Sequence, residues 1–120
     1  MPRRVLVADD DAGIRTLLRA LLERRGVAVE LVADGDAALA RIGSKTYDAI
    51  LLDLMMPAAN GFEIVRRLQD DHPHVLDYVI VVTAAAERTL RQFDASAVRR
   101  VFRKPFDIDE LVDEVLAAFA

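Results

Sequence analysis

The chain contains no cysteine. That excludes disulfide staples, thiolate nucleophiles and cysteine-zinc sites, and it allows a reducing compartment. Lysine is nearly missing too: fourteen of the sixteen basic residues are arginine, leaving Lys45 and Lys104. There is no excess of positive charge, the net being −4, and no basic stripe of the kind that follows a nucleic-acid backbone, so direct nucleic-acid binding is not expected. The longest apolar run, Tyr78 to Ala86, is far too short to cross a bilayer. Met1-Pro2-Arg3-Arg4-Val5 leads into a strand-like run with no signal-peptide stretch or cleavage site, so a cytoplasmic protein without membrane contact is expected. Repeats, low-complexity tracts and Gly/Ser linkers are absent. With 120 residues, 53% of them hydrophobic and 30% charged, the chain is expected to be one globular domain over 1–120, with no effector domain.

What is present is an alternation of short apolar runs with amphipathic segments. Val5-Leu6-Val7-Ala8 is continuous rather than alternating, the pattern of a strand buried on both faces. Ile14, Leu17, Leu18, Leu21 and Leu22 then fall on one helical stripe, with Gly26 as its stop. Val27 to Val32 reads as a second strand, and Asp34 as the N-cap of a helix running to about Gly43. Ala49-Ile50-Leu51-Leu52 forms a third strand, followed by a loop from Met55 to Gly61 and a helix marked by Phe62, Val65 and Leu68. A polar loop is expected over Asp70 to Leu76, a fourth strand over Tyr78 to Thr83, and a short helix from Glu87 to about Ala95. Arg100 to Arg103 is the fifth strand, and the stripe from Ile108 to Phe119 the last helix. Five βα units in succession imply an α/β fold: a doubly wound parallel sheet with helices on both faces.

Ligands of such sheets bind beyond the carboxyl ends of the strands. Asp9 and Asp10 follow the first strand, Asp53 ends the third, Thr83 the fourth, and Lys104 follows the fifth. Three carboxylates raise one another's pKa unless a cation sits among them, and hard oxygen donors in small number suit Mg2+. Lys104 adds a compact charge able to reach a phosphoryl oxygen, and Thr83 a hydroxyl donor. Together they meet the needs of phosphoryl transfer to a carboxylate: nucleophile, metal and charge stabilisation. Each residue alone has a plainer use. Asp11 is expected to cap a helix, and Asp9 or Asp10 alone serves equally well as a cap. Thr83 alone is a β-former and Lys104 alone a solvated side chain. Asp53 resists such treatment, because it ends an apolar run and precedes Leu54-Met55-Met56.

These segments resemble the receiver domains of response regulators in two-component phosphorelay signalling. Val5-Leu6-Val7-Ala8-Asp9-Asp10-Asp11 is similar to the family's first-strand acidic motif, and Leu51-Leu52-Asp53 through Asn60-Gly61 to its phosphorylation loop. Val81-Val82-Thr83-Ala84 is similar to its switch-threonine strand, and Phe102-Arg103-Lys104-Pro105-Phe106 to its lysine–proline motif. The resemblance implies a flavodoxin-like (βα)5 sheet of order 2-1-3-4-5. It implies that Asp53 accepts a phosphoryl group from a sensor histidine kinase or histidine phosphotransfer protein, Mg2+ being the cofactor. Asp10, Asp53 and the backbone carbonyl of Met55 would ligate the metal, with Asp9 acting through a metal-bound water. Lys104 would pair with Asp53 and then with the phosphoryl group, Thr83 would turn toward it, and a downstream protein target or effector domain would sense the change. A cis Lys104–Pro105 bond is implied as well, and Gly61 is expected at a place where a Cβ would intrude.

The chain departs from the family in three places. Val101 stands where an aromatic is common, with Phe102 beside it. Asp94-Ala95-Ser96-Ala97 replaces a usual Gly-Ala, and Asn60 a usual aspartate. Met55 and Ala85, each two residues beyond a site residue, offer no side chain to orient an attacking water, so slow loss of the phosphoryl group is expected.

Two other functions share the architecture. An aspartyl-phosphate phosphatase of the haloacid-dehalogenase type needs a second aspartate two after its nucleophile, where this chain has Met55. A nucleotide- or flavin-binding module needs a glycine-rich first turn, where this chain has three aspartates. His72 and His74, flanking Pro73, are read as exposed loop residues. Arg88, Arg91, Arg99, Arg100 and Arg103 are read as a solvated face or a partner surface, and Met55 and Met56 as loop packing.

Overall fold

A computed structural model describes residues 2–119. The five strands are β1 (Arg4–Ala8), β2 (Ala28–Val32), β3 (Ala49–Leu52), β4 (Val79–Thr83) and β5 (Arg100–Arg103). They pair in parallel in the order β2-β1-β3-β4-β5. The helices are α1 (Ala12–Glu23), α2 (Gly35–Ser44), α3 (Gly61–Asp71), α4 (Glu87–Leu90) and α5 (Ile108–Ala117).

Strand alternation divides the core in two. Leu6, Ala8, Ile50, Leu52, Val79 and Val81 face α2 and α3, meeting Ala38, Ile42, Ile64, Val65 and Leu68. Val5, Val7, Ala49, Leu51, Ile80 and Val82 face α1 and α5, meeting Leu18, Leu22, Leu111, Val112 and Val115. Both faces of the central strands are thereby dry, which is why those strands read as continuous apolar runs. Truncating any of the fully buried leucines to alanine removes about 2–5 kcal/mol.

Caps fix where the helices begin. Asp11, Asp34, Asn60 and Asp107 each accept backbone N–H bonds at the start of α1, α2, α3 and α5. Gly26 sits at φ +78° in the turn after α1, a left-handed conformation that suits glycine.

Three expectations need correction. Leu17 was expected to face inward, yet it is 47% exposed. At about 100° per residue it lies a quarter-turn from Leu18, outside the arc that Ile14, Leu18, Leu21 and Leu22 share. The expected loop over Asp70 to Leu76 is instead the last turn of α3 followed by a 3-10 turn, Pro73–Tyr78, which buries Val75 and Leu76. Proline suits the first position of such a turn. The helix after β4 spans only Glu87–Leu90, and Ala86 gives it no side-chain cap. A separate 3-10 turn, Ala95–Ala97, carries the chain to β5.

Outer strand β2 is secured by one carboxylate. Glu30 accepts from Arg41 Nη1 at 2.8 Å and from the Tyr47 hydroxyl at 2.9 Å, and it lies 3.3 Å from Lys45 Nζ and 3.6 Å from Arg4 Nε. Burial pushes Glu30 up, but Tyr47 and Lys45 outweigh it and hold the carboxyl below its ordinary value. Burial, then Glu30 itself, pushes the Tyr47 phenol up to about 12. A folded-state value above the unfolded one means stability that is complete below pH 10 and lost as the pH rises toward 12. Urea unfolding across that interval is expected to show the loss, and Tyr47→Phe to flatten it while costing about 1 kcal/mol at neutral pH. An unchanged alkaline limb in Tyr47→Phe would contradict this account.

Candidate functional site

Parallel register places the site. Ala8 of β1 pairs with Leu52 of β3, and the Asp53 N–H donates to the Ala8 carbonyl at 2.9 Å. The first residues beyond these neighbouring strands, Asp9 and Asp53, therefore emerge at one level. Beyond β5, the Lys104 N–H donates to the Thr83 carbonyl at 2.8 Å, which extends the ladder by one residue and sets Lys104 at the same edge.

Asp9 and Asp53 are only 3% and 4% exposed. Lys104 Nζ lies 2.8 Å from Asp9 Oδ2 and 3.2 Å from Asp53 Oδ2, one ammonium shared by two buried carboxylates. Their other oxygens take backbone N–H bonds: Asp9 Oδ1 from Asp11 at 2.9 Å and Asp53 Oδ1 from Met55 at 3.0 Å. Burial pushes the Asp9 carboxyl up and Asp53 adds to this; Lys104 and the Asp11 N–H only partly oppose it. Burial acts against the Lys104 charge, but Asp9 and Asp53 outweigh it and hold the ammonium above its ordinary value.

Exposed Asp10 completes the cluster. One carboxylate oxygen from each of Asp9, Asp10 and Asp53 lies within 4.8 Å of the other two, the one such group of potential metal ligands among the described residues. Three carboxylates face one ammonium, so the cluster is short of positive charge, and its oxygen donors fit a hard divalent cation such as Mg2+. The Met55 N–H bond holds the peptide after Leu54 beside this cluster.

Thr83 is fully buried, and its Oγ1 accepts the Ala85 N–H at 3.1 Å. The hydroxyl proton is left for another acceptor. The Lys104–Pro105 bond is cis. Gly61 lies where a Cβ would stand 2.5 Å from Leu54 Cα and 2.8 Å from the Asp53 carbonyl oxygen, so the helix following the loop can close onto the peptide next to Asp53 only without a side chain.

Strand alternation also decides the matter of Val101 and Phe102. Val101 joins the cluster on the α3 side, whereas Phe102 is buried on the α1/α5 side beneath the Arg100 guanidinium, 4.4 Å from the ring centroid. Phe102 therefore does not take over an aromatic role at Val101. The ring that fills the neighbouring seam is Phe93, edge-on to Phe62 of α3 at 5.8 Å. The arginine-rich stretch is partly neutralised: Arg99 pairs with Glu114 at 3.0 Å and Arg100 with Glu110 at 2.7 Å. His72 and His74 are exposed and stand edge-to-face at 6.4 Å, outside any three-residue metal group.

Two contributors went unnoticed in the sequence. Arg15 Nη1 donates to the Asp9 carbonyl at 2.8 Å, but nothing distinguishes it among fourteen arginines. Gly35 presses on the loop after Asp53, so closely that a Cβ there would lie 1.5 Å from the Ala59 carbonyl oxygen. A glycine directly after a capping Asp34 was its only sequence signal.

A doubly wound α/β domain with an acidic cluster and one lysine at the carboxyl edge of its sheet is the class that geometry defines. Residues 5–116 match the family described as the response regulator receiver domain, and the chain belongs to that family. It is 39% identical to the response regulator MprA of Mycolicibacterium vanbaalenii over 98% of its own length and 50% of the relative's. The chain thus spans about half the length of the curated relatives it matches. Its fold superposes on the Francisella response regulator 1452 receiver domain with a TM-score of 0.86 at 30% identity, covering 98% of this chain and 96% of the other. The receiver domain of the sensor histidine kinase PA1611 of Pseudomonas aeruginosa, which has a magnesium ion coordinated in its active-site cleft, gives 0.86 at 28% identity over 99% and 98%.

Replacing Lys104 by alanine strips the shared cation from two buried carboxylates. The loss expected in urea unfolding of the metal-free protein is about 3 kcal/mol. Added Mg2+ is expected to stabilise Lys104→Ala more than the wild type. Equal stabilisation of both proteins would show that lysine and metal do not answer the same charge deficit.

Proposed function

We propose that this chain is a phosphorylation-controlled switch in which Asp53 accepts a phosphoryl group from the phosphohistidine of a sensor kinase or phosphotransfer protein. The observation that carries this reading is the sharing of Lys104 by buried Asp9 and Asp53, with Asp10 completing an oxygen cluster beside them. Mg2+ held by Asp10, Asp53 and the Met55 carbonyl, with Asp9 acting through water, would supply charge neutralisation of the phosphoryl oxygens.

A carboxylate oxygen of Asp53 attacks phosphorus. The new O–P bond forms as the N–P bond of the donor breaks, and the imidazole leaves with the electron pair and takes up a proton. The product is an acyl phosphate on a carboxylate that is itself nearly buried. Lys104 moves its hydrogen bond from the Asp53 carboxylate to a phosphoryl oxygen. The Thr83 hydroxyl, whose proton is uncommitted, donates to another. These residues promote the domain's own phosphorylation and turn over no other substrate. The domain fills the chain and works in the cytoplasm, where the added roughly −1.5 to −2 charges bias the α4–β5–α5 face between two arrangements read by a downstream protein or effector domain.

Incubation with a small-molecule phosphodonor and Mg2+ is expected to give a single phosphoryl adduct by intact mass, absent without Mg2+ and absent in Asp53→Ala. An adduct persisting in Asp53→Ala would overturn the assignment. Because Met55 and Ala85 bring no polar side chain to an incoming water, the acyl phosphate is expected to be long-lived in Mg2+. Its decay, followed by mass after the donor is removed, should be slow; a half-life of seconds would contradict this.

A further inference from the structure

The loop from Leu54 to Asn60, which brings Met55 to the acidic cluster, is held from both sides by glycines. At its base the Gly61 N–H donates to the Leu54 carbonyl at 3.0 Å, closing the loop on itself. At its far side it meets a different part of the chain, the first residue of α2. The Gly35 N–H donates to the Pro57 carbonyl at 3.1 Å. The Gly35 Cα lies so near Ala59 that an added Cβ would stand 1.5 Å from its carbonyl oxygen and 2.4 Å from its carbonyl carbon. Both obstacles are backbone, so no rotation of a side chain relieves them.

Between these two contacts lies Ala58, at φ +65° and the one described non-glycine residue with positive φ. That conformation costs an alanine on the order of 1–2 kcal/mol. A strained residue persists only where its surroundings over-determine it. Here the surroundings are identified: Gly35 grips the residue on each side of Ala58, Met56 is sunk in the core, and the Met55 N–H is tied to Asp53. Remove the Gly35 grip and the segment has both the room and the incentive to relax.

We infer that Gly35 is a positioning residue for the phosphoryl-transfer site. It holds Pro57 to Ala59 in the strained arrangement that keeps the Met55 peptide beside Asp53 and the acidic cluster. This rests on the reading of that cluster as the Mg2+ site, so the test separates the two claims. By thermodynamic reciprocity, if the Gly35 contact positions a metal ligand, bound Mg2+ must strengthen the Gly35 contact.

The probe is Mg2+ alone, titrated into labelled wild type, Gly35→Ala and Gly43→Ala and followed by amide NMR. Gly43 lies in the same helix, and a Cβ there meets nothing within 4 Å, so it controls for the glycine-to-alanine change itself. The expected result is an affinity for Mg2+ weakened about tenfold or more in Gly35→Ala and unchanged in Gly43→Ala, in keeping with supports behind metal ligands elsewhere. Equal affinity in folded Gly35→Ala and wild type would overturn the inference. A second measurement needs no variant: in the wild type the Gly35 amide is expected to exchange its hydrogen more slowly when Mg2+ is bound. Exchange at Gly35 unaffected by saturating Mg2+ would likewise overturn it. Failure of Mg2+ to perturb the wild-type amides around Asp10 and Asp53 would defeat the reading of the metal site, and this inference with it.

Discussion

Asp9 and Asp53 lie side by side at the ends of β1 and β3, each nearly sealed from water, and their charges oppose folding unless a cation stands between them. Lys104 supplies it from beyond β5, past the end of β4. The reach of one side chain therefore links three strand ends that are far apart in sequence. Because Lys104 follows β5, an outer strand of the sheet, the two buried carboxylates are neutralised only when that strand is in place. The same arrangement leaves the site short of positive charge, a deficit that suits a hard divalent cation.

Much of this was legible because strand ends in a parallel sheet share one edge. The sequence places Asp9, Asp10, Asp53, Thr83 and Lys104 after apolar runs, and the pairing of β1 with β3 turns that placement into proximity. Caps were equally readable, since Asp11 and Asp34 act through local backbone bonds. The failures lie where tertiary contacts override local pattern. Val75 and Leu76, in a stretch opened by Pro73, read as loop until the core claims them. Leu17 fits a helical stripe by spacing yet lies beyond the arc that α1 buries. Gly35 makes a close approach between segments more than twenty residues apart, and its place directly after a capping Asp34 is too faint a mark to show that.

The departures from the family pattern acquire a physical meaning as well. Val101 is small and faces the α3 side, while Phe102 is committed to the opposite cluster and to Arg100. The seam between α3 and the segment after α4 is filled by Phe93 against Phe62. With α4 a single uncapped turn, that segment depends on this aromatic contact and on the Thr83–Ala85 hydrogen bond for much of its placement.

The two outer strands, β2 and β5, bear on a hazard every open sheet faces: a bare edge can recruit a strand from another molecule. β5 is short and carries Arg100 and Arg103, and Arg100 is pinned over Phe102 and toward Glu110 of α5. β2 carries Glu30, drawn into its knot of Arg4, Arg41, Lys45 and Tyr47. An incoming strand would have to bury an arginine at one border or dismantle three ion pairs and a tyrosine hydrogen bond at the other. The charges that hold the margins of the sheet in place thus also keep a very apolar interior from growing outward into fibrils.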